Sequence, residues 1–259
     1  MKGFWDTKTN NWDYVGYTAM YNQVYDALKS VNPRIQVGGP YLILEGSGTQ
    51  LGDPTQQVPI LPRDWQVLDY WLQHKHGADF ICLDRTAKAD HDPLTYPPDQ
   101  MLAFTGWLQS IAEQIRARTK LPIWWSESRF DSGPWNYQAA GLASMMLHEL
   151  KGGSAVTLSW QPQGVASDKY GGNWQALWSD TRLTGGGQPF PYYWAFRAFH
   201  QDFGPGTKLY RATSSSPDVE VLASASHILL INKRDGTTVV KLNGSPVSLA
   251  PYQVRVLNQ

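Results

Sequence analysis

Three carboxylates close runs that read as buried strands: Glu127, Asp84 and Glu45. The stretch Leu121-Pro-Ile-Trp-Trp-Ser-Glu-Ser128 is apolar, with one β-branched residue and two aromatics, and then stops on a polar cluster. A carboxylate at the C-terminal end of such a strand lies where (β/α) barrels keep their chemistry, so Glu127 is the first candidate. Asp84 ends Ala78-Asp-Phe-Ile-Cys-Leu-Asp84, and Glu45 follows the strand that begins at Ile35. Strand ends converge on a barrel mouth, so either acid can approach Glu127. The plainer alternative for all three is a solvated or salt-bridged carboxylate, with Arg85 and Arg129 at hand as partners.

Aromatic residues form the second group. The chain has 12 Trp, 13 Tyr and 8 Phe, an unusual number, much of which must be core, since aromatics bury large areas. Trp5, Trp12, Trp124, Trp125, Trp160, Trp174 and Trp178 fall beside strand ends or in loops. Flat rings at a cleft suit the C–H faces of sugars. Trp125, Trp160 and Trp174, with Arg85, are therefore the candidate substrate contacts, against the alternative that each ring is packing.

The elements that must position these groups alternate. Tyr17, Met20, Tyr21, Val24, Tyr25 and Leu28 recur at helical spacing after Asp13, a plausible N-cap, and Asn32-Pro33 ends that helix. Strand and helix then follow in turn. Strands are expected near residues 35–45, 78–84, 121–128 and 155–160, and helices near 62–75, 98–119, 137–150 and 192–202. Gly38-Gly39 marks a bend or a close backbone approach. Two long polar stretches, 46–62 and 161–188, read as functional loops. After Gly204-Pro-Gly206 the period changes to short runs broken by turn signals such as Arg234-Asp-Gly236. The fold class is α/β. Residues 1–205 read as a half (β/α) barrel of four parallel β/α units, and 206–259 as a small antiparallel β-sandwich-like domain.

Composition narrows the function. Twenty-two basic residues balance 22 acidic ones, so charge gives no case for nucleic acid or an anionic membrane as partner. The single cysteine, Cys82, cannot form an internal disulfide. His74 and His76 sit at a helix end while the other histidines are scattered, so no metal site is expected. No dinucleotide fingerprint or phosphate-binding loop is present, and no cofactor is expected. No apolar run approaches the ~20 residues of a membrane span, and the N-terminus has no signal-peptide core, which reads by default as cytoplasmic, or else as a fragment whose export signal lies elsewhere.

Several segments together resemble one family. Val31-Asn-Pro-Arg-Ile-Gln-Val-Gly-Gly-Pro40 is similar to the helix-to-strand passage of retaining glycoside hydrolases of the β-xylosidase/α-L-iduronidase family, which are (β/α)8 barrels with two catalytic glutamates. Ile123-Trp-Trp-Ser-Glu-Ser128 resembles their seventh strand, which ends in the nucleophile. Ser159-Trp160 resembles the eighth, whose aromatic floors the sugar site. Tyr192-Tyr-Trp-Ala-Phe196 resembles the last barrel helix, and a β-sandwich often follows in the family. The resemblance implies Glu127 as nucleophile and Trp160 as platform. It departs where the family's fourth strand supplies the acid/base: Met1-Lys-Gly-Phe-Trp5 resembles the loop after that strand, so the first four strands are expected to be absent.

Retaining hydrolysis uses two carboxyl groups roughly 5–5.5 Å apart, one attacking the anomeric carbon and one serving as acid and then base. Glu45 or Asp84 is the expected stand-in for the second. Alternatively, two copies form a homodimer that closes an eight-stranded barrel, with two Glu127 side chains sharing one mouth. Two readings follow: a glycosidase acting on β-linked sugars, complete as an oligomer or through a substitute acid, and a carbohydrate-binding or structural remnant without turnover.

Overall fold

The computed structural model describes residues 2–44, 60–87, 97–130, 135–160, 162–164 and 176–259, apart from the side chains of residues 2, 86, 87, 129 and 135. Glu45, Trp174 and the Arg129 side chain lie outside the described residues, as does most of the two long loops. The fold is mixed α/β, with one four-stranded parallel sheet, one four-stranded antiparallel sheet and two two-stranded hairpins. By contacts the chain divides into two compact units. One holds Met1–Thr86, Trp107–Ser128 and Glu149–Ser159, and the other Ala87–Gly106, Arg129–His148 and Trp160–Gln259.

In the first unit a short ribbon pairs β1 (Trp5–Asp6) with β2 (Asn11–Trp12). Helix α1 (Tyr14–Val31) follows. The Asp13 side chain accepts from the Gly16 N–H and so satisfies one of the orphan donors of its first turn. The helix stops at Asn32, extended at φ −146° before Pro33. The expected single apolar stripe is divided. Tyr17 and Tyr21 are buried, while Met20, Val24 and Leu28, at i, i+4 and i+8, stay exposed. The apolar arc is wider than the face covered by β3 (Gly38–Ile43) and α2 (Pro62–His74).

The parallel sheet runs β3, β4 (Phe80–Ala87), β5 (Ile123–Phe130), β6 (Val156–Ser159). Alternation along these strands separates two faces. Ile81, Leu83, Ile123 and Trp125 are wholly buried. On the other face the rings of Phe80 and Trp124 stack at 4.0 Å with their planes 14° apart. Gly38 and Gly39 divide between the faces. A Cβ on Gly38 would come within 2.3 Å of the Phe80 ring, and one on Gly39 within 2.9 Å of Trp71 and Tyr21. The close backbone approach expected of this glycine pair is therefore present on both sides of the sheet. Helices α3 (Pro98–Arg118) and α4 (Gln138–Lys151) intervene between β4, β5 and β6 in the chain.

The second unit contains α5 (Pro191–Asp202) and strands β7 (Leu209–Tyr210), β8 (Val219–Ser224), β9 (His227–Asn232), β10 (Thr238–Leu242), β11 (Ser245–Leu249) and β12 (Val254–Asn258). The antiparallel sheet has the order β12-β9-β8-β7, and β10 pairs with β11 in a hairpin. Val219, Val221, Ala223, Ile228, Leu230 and Leu249 form its core. The hairpin turns on Asn243 and Gly244, at φ 51° and 84°, the pair of positive angles a tight two-residue turn requires. Among the described residues no helix is long and apolar enough to cross a membrane.

Candidate active site

Two irregularities at the C-terminal ends of the parallel strands assemble the site. On β3, Pro40 stands opposite Cys82 and Leu42 opposite Leu83, so Tyr41 is an extra residue in the ladder. Its φ is 51°, a left-handed conformation that costs an aromatic residue about 1–2 kcal/mol. On β5, Trp125 pairs with Thr157 and Ser128 with Ser159, three steps against two, so this strand also bulges, at Ser126-Glu127. Bulges re-aim side chains, and these two turn Tyr41 and Glu127 toward one another. The Tyr41 phenol donates to Glu127 Oε1 at 2.5 Å.

Asp84, at the end of β4, joins them. The Ser126 hydroxyl donates to Asp84 Oδ1 at 2.7 Å and accepts from the Cys82 thiol at 3.1 Å. The Tyr41 phenol and the Glu127 backbone N–H also interact with the Asp84 carboxylate, so Asp84 and Glu127 flank one phenol. Burial pushes the Asp84 pKa up, and the Glu127 charge adds to that, against the opposing hydrogen bonds from Ser126 and Tyr41. The Tyr41 phenol is likewise raised, first by burial and then by its bond to Glu127, and it remains a donor at neutral pH. The Cys82 thiol is raised by burial. The arrangement fixes one carboxylate by a short hydrogen bond and sets beside it a second carboxyl with increased affinity for a proton.

Behind this cluster lies a third acid. Glu149, in the last turn of α4, is fully buried. Ser128 Oγ donates to its Oε1 and Thr157 Oγ1 to its Oε2, both at 2.6 Å. Burial pushes its pKa up to about 7 despite both bonds.

The structure brings together Glu127 and Asp84 of the expected catalytic residues; Glu45 lies outside the described residues. Trp125 is a correction. It is wholly buried and its indole N–H donates to Ser154 Oγ at 2.7 Å, so its rings pack the core and offer no face to a sugar. Arg85 is corrected too: it is buried, and its Nη1 holds the Leu44 carbonyl at 2.7 Å. Trp160 is 37% exposed immediately after β6. Trp174 lies outside the described residues. Among the described residues no group of three His, Cys, Asp or Glu side chains is placed to hold a metal ion.

Sequence reasoning missed Tyr41 and Glu149. Gly38-Gly39 signalled an irregular strand but not which residue would bulge, and a tyrosine at positive φ has no local signature. Glu149 sits in an otherwise apolar helix, Ala139-Ala-Gly-Leu-Ala-Ser-Met-Met-Leu147, and a carboxylate at the buried end of such a run was the available signal.

No family model matches the sequence, and no curated protein matches it. Solved structures do. A monomeric β-xylosidase from Caulobacter crescentus CB15 superposes with a TM-score of 0.52 at 16% identity, over 90% of this chain and 45% of that one. A Paenibacillus polymyxa xyloglucanase of glycoside hydrolase family 44 gives 0.60 at 10% identity, over 95% and 61%. A glycoside hydrolase family 30 subfamily 8 xylanase from Clostridium acetobutylicum gives 0.52 at 15%, over 95% and 60%. The fold is thus glycoside hydrolase-like, and the chain spans about half to three-fifths of the length of these neighbours.

Proposed function

We propose that this chain carries the nucleophile half of a retaining glycosidase for β-linked sugars, of the β-xylosidase/α-L-iduronidase type, with Glu127 attacking the anomeric carbon. The observation that carries this reading is the 2.5 Å tether from Tyr41 to Glu127 at the ends of parallel strands, with Asp84 against the same phenol. A carboxylate held in one orientation suits formation of a glycosyl ester. Asp84, whose pKa is pushed up by burial and by the Glu127 charge, is the substitute acid.

The half barrel is completed, on this reading, by a second copy of the chain. β3 and β6 are the outer strands of the parallel sheet, and both carry exposed apolar side chains, Ile43 at 52% and Leu158 at 46%. Met20, Val24 and Leu28 of α1 form a further exposed apolar row. Two copies related by a two-fold axis supply eight strands and remove all four outer edges. A stable monomer by light scattering at working concentration overturns this assembly.

Turnover of an aryl β-glycoside tests the chemistry. Glu127→Gln should lose at least ~10³-fold in kcat/KM while sugar binding is retained. Asp84→Asn should lose about 10²-fold with a poor leaving group and much less with a good one. A parent protein that binds sugar without turning it over is instead a non-catalytic carbohydrate-binding remnant.

A further inference from the structure

We propose that Glu149 is a positioning residue for Glu127, a role that rests on the glycosidase reading above. The backbone ladder between β5 and β6 breaks where the candidate nucleophile sits, between the pairs Trp125–Thr157 and Ser128–Ser159. Glu149 spans that break from behind. Its two oxygens take Ser128 of β5 and Thr157 of β6, each at 2.6 Å, in place of the interrupted backbone pairing. Ser128 is the residue after Glu127, so the carboxylate fixes the far side of the bulge while Tyr41 fixes the near side.

The surroundings are built to hold Glu149 still. The Ser154 N–H donates to the Glu149 carbonyl at 3.0 Å, the Ala155 N–H donates to the Ile123 carbonyl at 2.9 Å, and Ser154 accepts from Trp125. The turn between α4 and β6 is thus pinned to the start of β5. A buried carboxyl is a poor choice for stability, since an apolar side chain of similar size avoids its desolvation. It also lies at a helix C-terminus, where the dipole disfavours an anion. What the carboxyl gains over leucine is a two-armed link between adjacent strands.

Glu149→Leu and Glu149→Gln separate this role from plain packing. The leucine variant should fold with an unchanged or higher thermal midpoint and yet lose ~10–100-fold in kcat/KM, mainly in kcat, on an aryl β-glycoside. Its crystal structure should show the Tyr41–Glu127 contact opened beyond hydrogen-bonding distance, about 3.5 Å. Glutamine, which keeps both arms, should restore most of the activity and the contact. Ser128→Ala removes one arm and should fall between, which keeps the test decisive if the leucine variant does not fold. An intact contact in the leucine variant, or equal damage from leucine and glutamine, overturns the proposal. If the parent shows no turnover, the glycosidase reading fails, and the crystallographic arm still decides whether Glu149 positions Glu127.

Discussion

Two glutamates, one in each unit, Glu149 wholly buried and Glu220 with 12% of its side chain exposed, are handled in opposite ways. Glu220 on β8 meets two basic side chains: His148 at 3.0 Å and Lys233 at 2.7 Å. Burial works to raise its pKa, but the bonds and charges of these partners hold it down at about 2. Glu149 meets two hydroxyls and no basic group contributes to its titration, so burial prevails and the pKa climbs to about 7. The backbone does not repeat the contrast. Positive φ falls on Asn243-Gly244, residues that tolerate it, and on Tyr252 in the C-terminal antiparallel region, and on Tyr41 in the parallel sheet. The difference lies in the acids: the second unit gives its glutamate basic partners and the first gives its own only hydroxyls. The unit whose glutamate has only hydroxyls carries the candidate nucleophile, as expected where geometry serves chemistry rather than stability.

The largest effect that can break this contrast is kinetic. Glu127→Gln should remove turnover by at least ~10³-fold, about 4 kcal/mol of barrier, and leave the unfolding midpoint nearly unchanged. A large stability loss would make Glu127 a structural acid like Glu220. Next comes Glu149. Its folded pKa lies above the usual 4.5, so its stabilising contribution is fully present below about pH 4.5 and is lost as pH rises through about 7. Glu149→Gln should therefore be neutral at pH 4 and more stable at pH 8, by on the order of 3 kcal/mol in denaturant titrations. An equal effect at both pH values would refute the assignment.

The slope for Glu220 has the opposite sign. Its depressed pKa gives stability that is present above about 4.5 and lost as pH falls through about 2. Lys233→Met leaves that carboxylate with His148 alone and should cost about 2 kcal/mol at pH 7, measured by urea unfolding, and much less near pH 2. The smallest effect concerns a backbone turn and serves as a control for the acids. Gly244→Ala, at φ 84°, should cost about 1 kcal/mol in the same titration, with no change in activity.

Much of this was legible beforehand. The helices follow apolar spacing and stop signals that are local, such as Asp13 and Asn32-Pro33, and their ends fall within a residue or two of expectation. The four parallel strands are apolar runs whose existence needs no tertiary information. β11 was not anticipated: Ser245-Pro-Val-Ser-Leu249 is short and polar, although Asn243-Gly244 before it is a strong hairpin signal. Glu127 and Asp84 were readable as strand ends. Tyr41 was not, because a bulge arises from register between neighbouring strands and no single strand encodes it. Trp125 misled for a related reason. It lies two residues before Glu127, and strand alternation alone sets both on one face. The bulge between them reverses the later residue, which sends tryptophan into the core and glutamate to the strand mouth.

The left-handed twist at position 41 sets two kinds of selection against each other. A library varied at that codon and sorted for yield and heat tolerance should drift to glycine or asparagine, which relax the backbone. Sorted for sugar cleavage, the same library should return tyrosine, and the gap between the two winners would measure what the tether contributes to catalysis.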